Sequence, residues 1–410
     1  MRILFLTHRI PYPPNKGDKI RAFHILSHLA QVHEVHLATL IDDAADLPGI
    51  AALGHIAKGV LGERIDQPGR KAFALREVMV GGSITVRHFY SKRLQARIDS
   101  LIDANDFDVI LCSSSPMAEY VFRSRHADGR LAGLTKVMDL IDVDSYKWTQ
   151  YSQRSPIWTA WIYRHEARAL GKYEQQIAKA FDRLLVVSEQ EKKFFPGSKP
   201  PENLRAISNG VDLGFFSPRT TSPRALPPLL MVFTGVMDYW PNIEGMVWFV
   251  DKVLPVIQKT VPGVALYIVG SRPSPEVLKL SAVPGVTVTG FVDDVRDYIG
   301  QASVCIAPLR IARGIQNKIL EAMAMAKAVV TTPQAFEGVH AVAGSDIMVA
   351  EDELAFAAAV VSLLKDPEKA TAMGRNARTK IEQYYSWDAN LAPLEALLTP
   401  SAPSAHGTAH

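Results

Sequence analysis

The chain has 410 residues, of which 48% are hydrophobic and 21% charged; this is ordinary globular composition and excludes both a single small module and wholesale disorder. Lys and Arg number 45 against 42 Asp and Glu, a formal net charge of +3, which excludes the basic excess of a dedicated nucleic-acid binder and makes any basic site local. Along the chain, short apolar runs alternate with helical patterns, the signature of a parallel sheet covered by helices. The first half predicts strands at 2–6, 35–40, 108–113, 136–141 and 183–188, with helices at 18–31 and 156–180. The second half predicts strands at 229–234, 264–269, 286–289, 303–307 and 329–332, with helices at 243–260 and 316–326. Two α/β domains are therefore expected, 1–216 and 229–383, joined by the Pro- and Ser-rich linker 217–228; the segment 384–398 reads as a helix and 399–410 as a disordered tail. No solenoid-length repeat is present.

Cys112 and Cys305 sit in separate apolar runs, so neither a disulfide framework nor a cysteine zinc site is expected, and a reducing compartment fits. The apolar run at 3–6 is too short for a signal-peptide core, and nowhere do 18 apolar residues run together. A cytoplasmic protein is expected, with any membrane contact peripheral, on the inner face.

Ligands of open α/β sheets bind beyond the carboxyl ends of the strands, so the turns after strands carry the candidate chemistry. The first, THRIPYPPNKGDKIR at 7–21, offers Gly17 for close backbone approach, Asp18 as a helix N-cap, and Lys19 and Arg21 as local positive charge. It lacks the GxGxxG dinucleotide fingerprint. A rigid turn leading into a capped helix is the plainer reading of the same residues. The second, PLRIARGIQNKILE at 308–321, is stronger. Gly314 precedes a helix whose dipole favours phosphate, and Arg310, Arg313 and Lys318 add charge suited to phosphate oxygens. Lys318 and Glu321 share a helix face: a cation for phosphate and, one turn on, a carboxylate able to accept from a vicinal diol, as a nucleotide with its ribose requires. Glu321 lies in an otherwise apolar helix, where a carboxylate needs a partner. Alone, the pair reads equally well as an ion pair on a solvated face; the glycine and arginines upstream favour a site.

Weaker groups complete the inventory. Asp139, Asp142 and Asp144 end a predicted strand in MDLIDVD, a polar strand end in preference to a metal site, which needs several convergent oxygens. His24 and His28 share a helix face without the zincin glutamate and read as packing. Trp148, Trp158 and Trp161 interleave with Lys147, Arg154, Arg164 and Arg168. That pattern suits either an anionic membrane surface or the packing of a long helix, and core packing is the plainer reading.

At these residues the sequence resembles the family 4 glycosyltransferases of the GT-B fold. The motifs, in order, are MRILFLTHRIPYPPNKGDKIR at the start, VVSE at 186–189, SNGVDLGFFSP at 208–218, FTGVMDYWPN at 233–242, YIVG at 267–270, VTVTGFVDDVRDYI at 286–299 and KILEAMAMAKAVVTT at 318–332. Through PLRIARGIQNKILEAMA it is most similar to the exosortase (PEP-CTERM)-associated sugar transferases of exopolysaccharide synthesis. The resemblance implies an α/β fold of two Rossmann-like doubly wound domains facing a cleft, with a crossover helix at 384–398 returning to the first. It implies a retaining transfer of sugar from a nucleotide-diphosphate sugar to a lipid-linked or polysaccharide acceptor, with no cofactor and no metal required.

On that reading Glu321 binds the ribose hydroxyls, Lys318 and Gly314 face the pyrophosphate, and Gly17 lies near the transferred sugar. Gly290, Phe291 and Val292 form the edge for the nucleobase, and Gly235 lines the donor cleft. Lys19, Arg21, Arg296, Arg310, Gln316 and Asn317 complete the expected donor set, and Arg313, Lys318 and Glu321 the catalytic one. Two departures stand out. Arg313 occupies the place of the family's first glutamate, and VMDYWPN replaces the Arg and Lys often found after the first strand of the second domain. Two alternatives stand beside this reading: a non-catalytic nucleotide-sugar-binding partner, suggested by the missing first glutamate, and a nucleotide-sugar epimerase of the same architecture, which would need carboxylates or histidines acting on the sugar where this sequence offers arginine.

Overall fold

The computed structural model describes residues 1–65, 77–218, 225–312 and 314–399, with the side chains of Arg154 and Trp158 outside that description. The chain divides into two units, Met1–Ile207 together with the chain from Leu391 onward, and Ser208–Asn390.

The first unit is built on a seven-stranded sheet in the order β3-β2-β1-β4-β5-β6-β7. Its strands are β1 (Arg2–Thr7), β2 (Glu34–Ile41), β3 (Gly59–Arg64), β4 (Val109–Ser113), β5 (Thr135–Ile141), β6 (Arg183–Val186) and β7 (Leu204–Ala206). Every pairing is parallel. β1 shows why: Ile3, Leu4, Phe5 and Leu6 are all fully buried, so both faces of the strand need cover, which helices supply. The helix Gly17–Leu29 supplies part of it, burying Ala22, Ile25, Leu26 and Leu29 at helical spacing. The helix Lys92–Ala104 is started by Ser91, whose side chain accepts from the Leu94 amide, and buries Leu94, Ile98 and Ile102.

The second unit carries a six-stranded parallel sheet in the order β10-β9-β8-β11-β12-β13. Its strands are β8 (Leu230–Thr234), β9 (Ala265–Val269), β10 (Val286–Gly290), β11 (Val304–Ala307), β12 (Val329–Thr331) and β13 (Met348–Val349). The chain runs outward from β8 through β9 to β10, then returns to β11 on the other side of β8, so strand order reverses between β8 and β11. In the first unit the same reversal falls between β1 and β4. Both sheets are doubly wound, as expected.

Three features depart from the expectation. The strands β3, β7 and β13 were not anticipated; β3 has glycines at two of its six positions, and β7 and β13 span only three and two residues. The expected helix 243–260 starts earlier, at Trp240 with Pro241 in its first turn, and runs through a π turn at Phe249–Val253 into Leu254–Thr260. The division between units falls at Ile207/Ser208 instead of near 216, because 208–216 packs with the second unit. Val211 is buried in that core and bridges to Ser386, while Leu213 and Phe216 pack against it. Of the expected linker, 219–224 lies outside the described residues, as does the tail beyond Thr399.

The helix Trp387–Leu398 spans the second division, and from Leu391 it belongs to the first unit. There Leu391, Leu394 and Leu398 are buried, and Glu395 meets His33 at 2.7 Å and His28 at 3.6 Å. His28 is thus part of a packing contact. Cys112 and Cys305 are both buried, and burial pushes the Cys305 thiol up to about 12. Among the described residues no helix is long and apolar enough to cross a membrane.

Candidate functional site

In the second unit the strand-order reversal places the turns after β8 and β11 side by side. The turn after β8 begins with Gly235, whose amide donates to the Val269 carbonyl at 3.0 Å. A Cβ at Gly235 would stand 2.8 Å from Asn242 Nδ2 and 3.5 Å from Lys318 Cε, so a side chain here would displace the Asn242 amide from its place. Gly270 is tighter still: its φ is +151°, and a Cβ there would stand 1.6 Å from the Gly235 carbonyl oxygen. Two backbone turns cross there at minimum separation.

After β11 the chain passes Pro308 to Gln316 before the helix Asn317–Ala324. Gly314 has φ +60°, the left-handed conformation that turns the chain into the helix. Gln316 takes the N-cap position without capping through its side chain, instead donating to the Gly314 carbonyl at 3.3 Å. Ile319, Leu320, Ala322, Met323 and Ala324 are buried, which fixes the helix rotation and leaves Lys318 and Glu321 together on its half-buried face. Lys318 Nζ donates to Asn242 Oδ1 at 2.7 Å and lies 4.8 Å from the Phe233 ring centre. Asn242 is itself held by a 2.8 Å hydrogen bond from Nδ2 to the Val236 carbonyl.

Burial governs the protonation of both groups. It lowers the Lys318 ammonium to about 8, partly offset by Glu321, and raises the Glu321 carboxyl to about 7, partly offset by Lys318. Two oppositely charged groups whose titrations burial brings near neutrality thus share one helix face beside a strand-order reversal, which makes them the candidate site of this unit.

The other expected donor residues of this unit divide. Asn317 Oδ1 accepts from Asn209 Nδ2 at 3.5 Å. Gly290 has φ +69° with open space where a Cβ would be; Phe291 is 73% exposed, and Val292 packs on the core. Arg310 is half exposed, 3.2 Å from Glu244 and within cation–π range of Trp248. Arg296 departs from the expected donor role: its guanidinium donates to both Asp294 oxygens and to the Phe215 carbonyl and stacks 3.5 Å from the Phe215 ring centre. Its charge is spent on Asp294, two residues away in sequence. Arg313 lies outside the described residues.

In the first unit the expected positive end of the helix Gly17–Leu29 is neutralised from within. Arg21 is fully buried and grips Asp139 with Nε at 2.9 Å and Nη2 at 2.9 Å, while Nη1 donates to the Ile207 carbonyl at 2.9 Å. Lys19 is buried against Asp46 in a 3.1 Å ion contact, and burial lowers its ammonium. Neither side chain faces solvent, so both depart from the expected donor-binding role. Asp18 is not the N-cap either. Lys16 holds that position, and Asp18 accepts from His8 at 3.0 Å and Arg9 at 2.7 Å. Burial alone would raise the Asp18 carboxyl, but those two partners hold it well below the usual carboxylate range. Arg9 also donates to Asp42 at 2.8 Å. Gly17 is exposed at the helix start.

Asp139 completes a polar row in register across the sheet with Ser113, Thr7 and Thr39, near the carboxyl ends of their strands. Beyond it, Ser114 and Ile141 adopt φ of 76° and 70°, strained for side chains that are not glycine. Burial pushes the Asp142 carboxyl up to about 6, and its Oδ1 is buried without a hydrogen-bond partner among the described residues. Asp144 is 3.8 Å from Lys147.

Sequence reading missed Asn242 and the His8–Arg9–Asp18–Asp42 cluster. Asn242 was visible only as the last letter of VMDYWPN; its role depends on a contact 76 positions away.

Residues 228–366 match the family model described as Glycosyl transferases group 1. A curated relative from Klebsiella pneumoniae, "Uncharacterized 44.6 kDa protein in cps region", is 23% identical over 397 residues, 94% of this chain and 96% of that protein. Among solved structures, sucrose-phosphate synthase from Thermosynechococcus elongatus superposes with a TM-score of 0.71 at 18% identity, covering 97% of this chain and 98% of that one. Anabaena HepE in complex with UDP and glucose superposes with a TM-score of 0.68 at 14% identity, covering 97% and 99%. WaaG, a glycosyltransferase involved in lipopolysaccharide biosynthesis, gives 0.61 at 14%, covering 96% and 98%. The chain has the fold of the GT-B glycosyltransferases, with two Rossmann-like α/β units, and its second unit carries the stretch that matches the group 1 family model.

Proposed function

We propose that the protein is a retaining glycosyltransferase that moves a sugar, of the hexosyl or a related type, from a nucleotide-diphosphate sugar to a lipid-linked or polysaccharide acceptor in exopolysaccharide synthesis. The observation that carries this reading is the Lys318–Glu321 face, supported by Asn242 and Gly235 within the stretch matching the glycosyltransferase model. HepE, of the same fold, binds UDP and glucose. The Klebsiella relative's place in a cps region supports a polysaccharide pathway, and the PLRIARGIQNKILEAMA motif supports the exosortase-associated branch. The work is cytoplasmic in this reading, where nucleotide sugars are made.

The chemistry follows from charge. The donor's diphosphate leaves as the anomeric carbon becomes cationic, and groups aimed at the β-phosphate act mostly in the transition state. Lys318 supplies the cation, while the uncapped first-turn amides of Asn317–Ala324 supply fixed dipoles. Glu321 accepts from the ribose hydroxyls and sets the donor's register. Arg310 and Arg313 add positive potential, and Gly290, Phe291 and Val292 receive the base. With these groups no metal is needed, and unchanged turnover in chelator is the expected result. Asp142 and Asp144 serve the acceptor side.

The test is nucleoside diphosphate release from a panel of nucleotide sugars, with and without membrane lipid extract. Acceptor-dependent release supports transfer, conversion of the donor sugar without release means epimerisation, and binding without turnover means a non-catalytic partner.

A further inference from the structure

The longest helix of the first unit, Ile157–Ala180, has an outer stripe of unusual make-up. Its exposed positions are 157, 161, 164, 168, 172, 175, 176, 179 and 180, which follow one another at helical spacing. Ile157 is 87% and Trp161 48% exposed, and Arg164, Arg168 and Lys172 follow along the same line. The helix also carries two carboxylates, and both are turned inward. Glu166 accepts from Ser83 Oγ at 2.6 Å and from the Ile84 and Thr85 amides, starting the helix Ile84–His88. Glu174 accepts from the Ser145 amide at 3.1 Å and is fully buried. The stripe therefore has an apolar, aromatic end and a cationic length with no acid on it, and among the described residues no carboxylate pairs with Arg164, Arg168 or Lys172. Packing accounts for Trp148, which meets Tyr151 and Tyr163, but does not account for Trp161.

Two neighbours extend the surface. The Gly82 carbonyl meets His165 Nε2 at 2.9 Å, which brings the preceding turn beside the helix, and there Met79 is 82% and Val80 68% exposed. Arg168 and Lys172 also rim a cavity of about 420 Å³ with Thr149 and the stacked rings of Tyr146 and Phe194.

We propose that this stripe docks the protein on an anionic lipid bilayer, with Ile157 and Trp161 entering the interface and Arg164, Arg168 and Lys172 lying on the headgroup phosphates. Tryptophan favours the membrane–water boundary, and clustered basic side chains add attraction to anionic lipid that falls with salt. The inference does not depend on the transfer reading, since docking is measured without a donor.

The full chain is sedimented with vesicles of phosphatidylcholine alone and of phosphatidylcholine mixed with phosphatidylglycerol. It should bind only the anionic vesicles and be released by salt. The triple variant Arg164→Glu, Arg168→Glu, Lys172→Glu should lower the partition coefficient on the order of 100-fold, while Arg164→Lys, Arg168→Lys, Lys172→Arg retains binding. Quenching of tryptophan fluorescence by bromine-labelled lipid should fall sharply in Trp161→Phe. All changed side chains are exposed, and unaltered far-UV circular dichroism checks the fold. Failure of the wild type to bind anionic vesicles overturns the proposal, as does equal binding by the charge-reversed variant or unchanged quenching in Trp161→Phe. Binding to a soluble polyanion such as heparin without vesicle binding overturns it in favour of a polymer-binding face.

Discussion

Lys318 donates to Asn242 across 2.7 Å, and this single bond ties the helix Asn317–Ala324 to the first turn of Trp240–Trp248 beside Gly235. A lysine on four rotatable bonds is a poor positioning device unless its end is held. Asn242 holds it and is fixed in turn by Val236. Lys318→Ala should therefore lower kcat/KM for the donor on the order of 10²–10³-fold, the usual cost of losing one charge-stabilising donor. Asn242→Ala should cost about tenfold, mainly in kcat, as expected for a hydrogen bond to a charged group. Steady-state donor kinetics decide it, and unchanged values for Lys318→Ala would remove this lysine from the site.

The same pair predicts a pH profile. In the proposed roles, donor binding needs Lys318 protonated, which holds below about 8, and Glu321 ionised, which holds above about 7. Because kcat/KM reports the free enzyme, it should rise through about 7 and fall through about 8, giving a narrow maximum. The donor diphosphate is fully ionised throughout and contributes no limb. Glu321→Gln should abolish the acidic limb while keeping the basic one, and a Gln variant that retained both limbs would move the assignment to another group.

What the sequence revealed and concealed has a consistent physical basis. β1 and β8 were legible because parallel strands buried on both faces read as unbroken apolar runs, whereas β3, with its glycines, and the very short β7 and β13 carry too little signal. Lys318 and Glu321 were legible because helical spacing alone puts them on one face. Arg21 and Lys19 were misread because charge at a strand end looks the same in sequence whether it faces a ligand or an internal carboxylate. The carboxylate for Arg21 is Asp139, 118 positions away.

The buried Arg21–Asp139 pair makes a stability prediction. Arg21 and Asp139 are both fully buried, so removing one leaves the other charged and unpaired in the core. Arg21→Ala should destabilise the protein by about 3–5 kcal/mol in urea unfolding, and a double replacement by apolar side chains of similar volume should recover much of that loss. The folded fraction of Arg21→Ala should keep its donor KM. Normal stability with a raised donor KM would return Arg21 to the binding site.

Glu174 supplies the last prediction, because burial raises its carboxyl from 4.5 to about 8 despite its hydrogen bonds with Ser145. In the unfolded chain this group loses its proton near 4.5, whereas in the folded protein it keeps the proton until about 8. Between those values the folded state binds more protons than the unfolded state, so stability falls as pH rises, by up to about 1.4 kcal/mol per pH unit. Glu174→Gln keeps the shape and the acceptor oxygen for the Ser145 amide but has no proton to lose. Its stability relative to the wild type should therefore be near zero or slightly negative at about pH 4.5 and grow steadily more positive towards about pH 8. Urea midpoints of the two proteins across that range provide the measurement. Curves that run parallel with pH would mean that Glu174 is ionised in the folded protein, with the amino end of the helix Asp144–Arg154 and its hydrogen bonds outweighing burial.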